Sequence, residues 1–163
     1  MLPTASVMEV SVAPKRKRDS MIHYVKGDLF EAPAITLVNP VNCVGVMGKG
    51  LALEFKKRFP EIYRQYLKLC VQGKVKVGQL NLVQDGFTKI LLFPTKDHWK
   101  NPSSLAHIEA GLEAFCRSYR ELGIDSVAFP KLGCGCGGLE WEKVKGLMEK
   151  YLDPLPIDVL VYE

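Results

Sequence analysis

Residues 38–60, VNPVNCVGVMGKGLALEFKKRFP, decide the fold class because they join three kinds of local structure in one short stretch. A predicted strand over Ile35–Asn39 leads into a glycine-rich segment, residues 44–50, which we call the first loop. A predicted helix follows over Gly50–Phe59, with apolar residues spaced among three basic ones. This order is typical of α/β proteins, which bind ligands beyond the carboxyl ends of their strands.

A second glycine-rich segment, residues 133–138 (GCGCGG), has the same setting, and we call it the second loop. It follows a predicted strand over Ser126–Phe129 and precedes a predicted helix over Trp141–Tyr151. Glycine lets a backbone approach a ligand and turn its N–H groups inward, and a helix N-terminus adds a partial positive charge. One such loop suits a phosphate, and two from separate strands suit a diphosphate held between them.

Glycines can equally mark tight turns, so neither loop is decisive by itself. Neither fits the familiar nucleotide fingerprints: Gly-x-Gly-x-x-Gly with its acidic partner is missing, and residues 45–49 do not continue as Gly-x-x-x-x-Gly-Lys-Ser/Thr. These mismatches disfavour an NTPase or a dehydrogenase.

The remaining predicted elements continue the alternation of strands and helices. They are strands at Ile22–Lys26, Gln79–Gln84, Lys89–Phe93 and Ile157–Tyr162, and helices at Pro60–Cys70 and Ser103–Leu122. The dipeptide Asp85–Gly86 predicts a hairpin turn between two of these strands. The order predicts an α/β sandwich around a mixed sheet.

The 163 residues are 47% hydrophobic and 25% charged, which suits one domain with a single core. We expect residues 1–20 to form a disordered basic tail and residues 21–163 to form the folded unit. Within the tail, Pro14–Arg18 (PKRKR) supplies four positive charges, and Glu9 and Asp19 supply two negative ones. The tail therefore carries half of the net charge of +4. PKRKR is open to two interpretations, a nuclear-localisation signal or a solvated or cloning-derived tail.

Composition also bears on location and on metals. No apolar run approaches the roughly 20 residues that span a bilayer, and no secretory signal pattern is present. We expect an intracellular protein with no membrane partner, cytoplasmic, or nuclear if PKRKR is a genuine signal. Five irregularly spaced cysteines indicate reduced thiols, and His23, His98 and His107 are not grouped with carboxylates. We therefore predict no metal site and no cofactor.

Several polar residues stand where predicted strands end. Asp28 follows the first strand, where a carboxylate can accept from the exocyclic amine of an adenine. Asn39 and Asn42 bracket the end of the second, where amides can bond ribose hydroxyls, although asparagine is also an ordinary turn former. Lys96 lies in ILLFPTKDHW, residues 90–99, just after a hydrophobic predicted strand. A lysine at such a place is usually solvated, so by itself it indicates little.

Taken with GDL (residues 27–29), the stretch from Val38 to Ala52 and FPKLGCG (residues 129–135), the chain resembles a macrodomain over about residues 21–163. NCVGVMGKGLALEFKKRFP and FPTKDHW resemble in particular the branch of DarG-like DNA ADP-ribosyl glycohydrolases, which is related to terminal ADP-ribose protein glycohydrolase. The resemblance implies a three-layer αβα sandwich with a central mixed, mostly parallel sheet, and a cleft for ADP-ribose.

It also implies the ligand contacts. Asp28 and Leu29 would lie at the adenine, Asn42 at the distal ribose, and the two loops on either side of the phosphates. The full set of ligand residues implied is Asp28, Leu29, Asn39, Asn42, Gly45, Val46, Met47, Gly48, Lys49, Gly50, Thr95, Leu132, Gly133, Cys134, Gly135, Cys136 and Gly137.

In this branch a lysine after a central strand is catalytic, and Lys96 stands at that position. An amine that attacks the anomeric carbon must be neutral, and the ordinary lysine pKa of about 10.4 falls on burial or beside another cation, here Lys49 if it faces the cleft. The protein-directed relative also uses an aspartate in the second loop, where this chain has Gly137. His98 and Trp99 could contact the modified base by hydrogen bonding and stacking, or could simply pack in the loop.

Three functions follow from the resemblance. The favoured one is a hydrolase that removes ADP-ribose from DNA, with thymidine as the expected base and ADP-ribose and ADP-ribosylated DNA as its partners. The alternatives are a hydrolase for ADP-ribosylated protein carboxylates, which the glycine at position 137 weakens, and a non-catalytic reader. We expect a monomer and, as a further partner, a cognate DNA ADP-ribosyltransferase.

Overall fold

The computed structural model describes residues 22–163, and within them six strands form one mixed sheet. The predicted tail (residues 1–20), its PKRKR segment and Met21 lie outside the described residues. The strands are β1 (Ile22–Val25), β2 (Thr36–Val41), β3 (Asn81–Asp85), β4 (Thr88–Pro94), β5 (Ser126–Phe129) and β6 (Asp158–Tyr162). The helices are α1 (Gly50–Arg58), α2 (Pro60–Val71), α3 (Leu105–Ser118) and α4 (Trp141–Leu152). A short 3₁₀ turn, Leu29–Glu31, follows β1 and was not predicted from the sequence.

The strand order is β1-β6-β5-β2-β4-β3, and only β3 runs antiparallel to its neighbour. The predicted mixed, mostly parallel sheet is therefore confirmed. The carboxyl ends of β1, β2, β4 and β5 meet at one edge of this sheet. That edge gathers the segments that the sequence singled out after each strand.

The sheet is covered on both faces, which makes three layers. In β4, Ile90 and Leu92 face the side of α1 and α2, while Leu91 and Phe93 face the side of α3 and α4, and all four are fully buried. A strand buried on both faces reads as a continuous apolar run, as this one does. Gly111 of α3 packs directly against β4, since a Cβ atom there would overlap the Phe93 ring.

The predicted hairpin exists, but its turn lies one residue further along. Asp85 pairs with Thr88, so the two turn residues are Gly86 and Phe87 rather than Asp85 and Gly86. Gly86 has a φ of +62°, which a residue without Cβ adopts at little cost. Asp85 instead closes the strand pair.

Helix α3 is shorter than the predicted Ser103–Leu122 because its first and last turns have other partners. The Ser104 hydroxyl caps the helix by accepting from the His107 N–H at 3.1 Å. Ser103 lies outside the helix, and its N–H donates to the carbonyl of Gly137 at 3.1 Å. The entry of α3 is thus joined to the second loop.

Among residues 22–163, no helix combines the length and apolar character that crossing a bilayer requires.

Candidate functional site

A cleft of about 950 Å³ opens at the sheet edge where the carboxyl ends of β1, β2, β4 and β5 meet. Its size is that of sites for drug-sized ligands and cofactors, roughly 300–1,000 Å³. Of the predicted site residues, it is lined by Asp28, Leu29, Asn42, Val46, Gly48, Lys49, Gly50, Thr95, Lys96, Trp99, Gly133, Gly135, Cys136 and Gly137. The fold therefore brings together both loops, the predicted adenine end and the lysine.

A smaller cavity of about 290 Å³ lies at the opposite edge, beside the amino ends of β5 and β6. His23, Ser126 and Asp158 contribute to its walls, but neither glycine loop does. It has none of the features that point to a ligand in the large cleft.

The first loop presents unpaired donors to the cleft. Gly50 begins α1 with a φ of +58°, so Gly48, Lys49 and Gly50 lie at the helix N-terminus. Within the described residues, no protein acceptor binds the N–H groups of these three residues. The N-terminus of a helix with free N–H groups is an anion site, and the ammonium group of Lys49 adds to its positive potential.

The conformation of the first loop depends on the Asn42 side chain. Its Nδ2 donates to the Val46 carbonyl at 2.7 Å, and its Oδ1 accepts from the N–H of Val44 at 3.0 Å and of Val46 at 3.4 Å. Asn42 is buried, with 6% of the residue exposed, and most of the bonding capacity of its carboxamide is used within the loop. Asn42 thus shapes the wall of the cleft as well as lining it.

The second loop is closed by its own backbone. The Leu139 N–H donates to the Gly133 carbonyl at 2.9 Å, and the Gly138 N–H donates to the Gly135 carbonyl at 3.3 Å. The N–H groups of Gly135, Cys136 and Gly137 have no protein acceptor in the described part of the chain. Two sets of unpaired N–H groups, one in each loop, therefore border the same cleft.

Gly137 has no space for a side chain. A Cβ atom there would lie closer than 3.0 Å to the Gly133 carbonyl and to the Ser103 hydroxyl, a distance that real Cβ atoms essentially never show. Ser103 is buried, and its hydroxyl has no hydrogen-bond partner in the described residues. An aspartate at position 137 would require the second loop to move.

Lys96 bridges the cleft between two loops. Its Nζ donates to the carbonyl of Trp99 at 3.3 Å, within its own loop, and to the carbonyl of Cys136 in the second loop, also at 3.3 Å. The residues that follow β4, 95–101, which we call the lysine loop, are tied to β2 because the Thr95 N–H donates to Val41 at 2.9 Å and the Cys43 N–H donates to Asp97 at 3.1 Å. The half-buried lysine is thus held against the second loop, in the cleft that the first loop also lines.

The other end of the cleft is formed around Asp28. Its Oδ1 accepts from the Phe30 N–H at 2.9 Å, which caps the 3₁₀ turn, and its Oδ2 lies 3.8 Å from an Arg58 guanidinium nitrogen. The Arg58 guanidinium lies over the Phe30 ring at 4.4 Å, and Phe30 packs on Phe55 at 4.7 Å between ring centroids. Sequence analysis missed Phe30 and Arg58, since an isolated aromatic after a short strand and a cation on a helix have no distinctive spacing.

Trp99 borders the opposite end and is 48% exposed. The His98 ring lies beside it, with centroids 5.3 Å apart, and the Lys100 ammonium lies 5.2 Å from the centroid of the Trp99 ring. The His98 Nδ1 accepts from the Lys100 N–H at 3.1 Å, so His98 supports the loop and does not line the cleft. A large, accessible aromatic ring next to a cation is typical of surfaces that stack nucleic-acid bases.

Three of the predicted ligand residues have side chains that are buried beneath the loops and do not line the cleft. Asn39 is fully buried and directs its Nδ2 at the Met47 sulfur, 3.9 Å away, while Met47 and Leu132 belong to the two hydrophobic cores. The Cys134 side chain also packs against a core, and neither it nor Gly45 lines the cleft. Successive side chains along a strand point to opposite sides, so position in the sequence alone did not indicate which residues face the core and which face the cleft.

Two thiols near the site, those of Cys43 and Cys134, have a raised pKa. Burial, reinforced by the Asp97 carboxylate, raises the pKa of Cys43 from 9.0 to about 11, and burial also raises the pKa of Cys134. Neither is therefore a thiolate nucleophile near neutral pH. Within residues 22–163, no three or more His, Cys, Asp or Glu side chains are grouped to hold a metal ion.

A comparison with known families finds that residues 38–148 match the model described as the Macro domain. Over 147 residues, which is 87% of this chain and 42% of the relative, the chain is 50% identical to a protein of Mycobacterium tuberculosis named DNA ADP-ribosyl glycohydrolase. The chain thus spans about two fifths of the length of such relatives.

Solved structures give the same result. The macrodomain of Thermus aquaticus DarG superimposes with a TM-score of 0.83 at 44% identity, covering 87% of this chain and 97% of that one. The structure described as Thermosipho africanus DarTG in complex with ADP-ribose superimposes with a TM-score of 0.83 at 42% identity, covering 86% of this chain and 41% of that one. A Thermosipho africanus relative, 42% identical over 85% of this chain and 40% of its own length, is named a DNA ADP-ribosyl transferase-DNA ADP-ribosyl glycohydrolase fusion protein.

Proposed function

The chain belongs to the Macro domain family, and from that premise we propose that it removes ADP-ribose from ADP-ribosylated DNA, with Lys96 as the catalytic residue. The observation that carries the proposal is that Lys96 lines the same cleft as two sets of unpaired N–H groups. Each set suits one phosphate of a diphosphate, and the Lys96 Nζ already reaches the Cys136 carbonyl in the second loop. If the diphosphate lies between the two loops, the Lys96 amine can reach a distal ribose that extends from the diphosphate towards Trp99.

The proposed orientation of ADP-ribose follows from the two ends of the cleft. The Asp28 carboxylate and the Phe30 ring provide an acceptor and an apolar surface for the adenine. The distal ribose then lies between Asn42 and Lys96, at the other end. This leaves the modified base next to Trp99.

The reaction proposed for Lys96 has two steps. The Lys96 amine forms a bond from Nζ to the anomeric carbon, the bond from that carbon to the base nitrogen breaks, and the proton that Nζ loses passes to the base. Water then adds to the anomeric carbon, and the amine leaves, so that ADP-ribose and unmodified DNA are released. The amine attacks with its nitrogen lone pair, so its N–H groups can stay bonded to the carbonyls of Trp99 and Cys136, which orient Nζ.

The glycine at position 137 supports a DNA substrate over a protein carboxylate. The protein-directed mechanism needs an aspartate there, and the second loop has no space for one. The exposed Trp99 ring offers a stacking surface for an unpaired base, which an ester-linked glutamate would not use.

The substrate assay compares ADP-ribosylated single-stranded DNA with protein that is ADP-ribosylated on glutamate, and follows free ADP-ribose. Release from DNA supports the proposal, release from protein alone favours the carboxylate-directed alternative, and binding without release favours a reader. Trp99→Ala should raise KM for the DNA about tenfold, as base stacking contributes ~1–3 kcal/mol. Its affinity for free ADP-ribose should be unchanged.

We further propose a DNA ADP-ribosyltransferase as a functional partner, on the basis of the Thermosipho africanus fusion protein. A monomeric state and an intracellular location complete the proposal. Analytical ultracentrifugation and localisation of the tagged chain test them.

A further inference from the structure

Tyr66, on the face of α2 that packs against the sheet, is the bulkiest of the fully buried side chains. Its hydroxyl nevertheless lies among polar groups of the first loop. The hydroxyl oxygen accepts from the Gly45 N–H at 3.2 Å. It also lies 2.7 Å from the Asn42 carbonyl oxygen and 2.8 Å from Asn42 Oδ1, either of which can accept its proton.

A second tyrosine on the same helix completes the attachment. The Tyr63 hydroxyl donates to the Gly45 carbonyl at 3.2 Å. Both hydrogen-bonding groups of Gly45 are therefore satisfied by α2, and its φ of +83° is fixed between them. The residues that follow, Gly48 to Gly50, keep their N–H groups free for a ligand.

We infer that Tyr66 is a positioning residue for the proposed ADP-ribose site, because its hydroxyl sets the conformation of the first loop. The inference rests on the proposed function, and it concerns the phosphate and distal-ribose end of the cleft. Tyr66 does not line the cleft, so it acts through Asn42 and Gly45. Burial raises the pKa of Tyr66 well above its ordinary value, and the hydroxyl therefore keeps its proton at all pH values of interest.

The alternative is that Tyr66 only fills the core. Its ring does pack there, among Leu37, Ile90 and Leu92 on the α1 and α2 side of the sheet. Phenylalanine preserves that packing and removes only the oxygen. Tyr66→Phe therefore separates the two roles, since it leaves the buried Gly45 N–H without an acceptor.

Tyr119→Phe is the matched control. Tyr119 is also a buried tyrosine, 5% exposed, but it lies at the end of α3, and its hydroxyl accepts from its neighbour Arg120 at 3.1 Å. Tyr63→Phe is a second test variant, which removes one bond from the same loop while its ring can remain in place.

The experiment measures the affinity of each variant for ADP-ribose and for adenosine by calorimetry or NMR titration. Tyr66→Phe should weaken ADP-ribose binding about tenfold, which corresponds to ~1.4 kcal/mol, and Tyr63→Phe should weaken it less. Adenosine occupies only the Asp28 end, so its affinity should be unchanged in both. A purely structural defect would lower both affinities together or neither.

The outcomes separate this inference from the proposed function. If wild-type protein binds ADP-ribose and Tyr66→Phe binds it equally well, Tyr66 is not a positioning residue and the proposed function stands. Equal losses for adenosine and ADP-ribose also overturn the inference. If wild-type protein does not bind ADP-ribose, the proposed function fails first, and this inference fails with it.

Discussion

The two glycine loops border one cleft, but they are kept in shape by opposite means. The first loop depends on polar side chains outside it, since Asn42, Tyr63 and Tyr66 bind its backbone groups. The second loop closes through its own backbone and through the absence of side chains at Gly133 and Gly137. Ligand binding by the first loop should therefore be weakened by substitutions that remove side-chain atoms. Ligand binding by the second loop should be weakened by substitutions that add them.

The largest effect on ADP-ribose affinity is expected from adding one methyl group to the second loop. Gly137→Ala places a Cβ against the Gly133 carbonyl and the Ser103 hydroxyl, and overpacking of this kind costs ~1–3 kcal/mol. We expect ADP-ribose affinity, measured by calorimetry, to fall by up to about 100-fold. Gly146→Ala in α4 is the control, because a Cβ there meets nothing within 4 Å. Wild-type affinity in Gly137→Ala would show that the second loop is not held by close packing.

A smaller loss is expected when a side chain is removed from the first loop. Asn42→Ala deletes the three hydrogen bonds that the carboxamide makes to Val44 and Val46, and leaves buried groups unpaired at a cost of ~2 kcal/mol. We expect ADP-ribose affinity to fall about 30-fold. Asn81→Ala, which removes one exposed bond to the Lys74 carbonyl, is the control and should bind normally. If both variants bind alike, Asn42 does not shape the loop.

The smallest effect is a pH dependence of stability at the base of the first loop. Burial raises the pKa of Cys43 from 9.0 to about 11, so the folded state holds this proton more tightly than the unfolded state. The resulting stability is complete below about pH 9 and is lost as the pH rises towards 11. Cys43 is partly exposed, and solvent screening reduces the effect, so we expect less than about 1 kcal/mol. Thermal unfolding between pH 8 and 10.5 should show a shallower decline in Cys43→Ala than in the wild type, and identical slopes would refute the assignment.

Much of the fold could be predicted from local sequence because each element carries its own pattern. The apolar run of β4 and the three-and-four spacing of α3 place these elements within a few residues. The errors occur at the ends, where tertiary partners decide. Ser103 lies outside the helix because its N–H donates to the Gly137 carbonyl. The hairpin turn lies one residue later than predicted because Asp85 pairs with Thr88.

The candidate site was predictable in outline for a similar reason. Glycine loops and strand-end residues are visible in the sequence, and the parallel sheet brings them to one edge. Whether a side chain near a strand end faces the cleft or the core is decided by packing, and the sequence alone did not indicate that Asn39 and Met47 are buried. Phe30, Arg58 and Tyr66 gain their roles only through contacts with residues distant in the chain.

The central claim is that Lys96 is the catalytic residue of the cleft, and one measurement tests this claim most directly. It is the release of ADP-ribose from ADP-ribosylated single-stranded DNA by wild type, Lys96→Ala and Lys89→Ala, with ADP-ribose binding measured in parallel. Lys89 lies near the start of β4, whereas Lys96 follows the end of that strand. We predict that Lys96→Ala loses release at least about 1,000-fold while it still binds ADP-ribose, and that Lys89→Ala behaves as wild type. Wild-type turnover in Lys96→Ala would contradict the account.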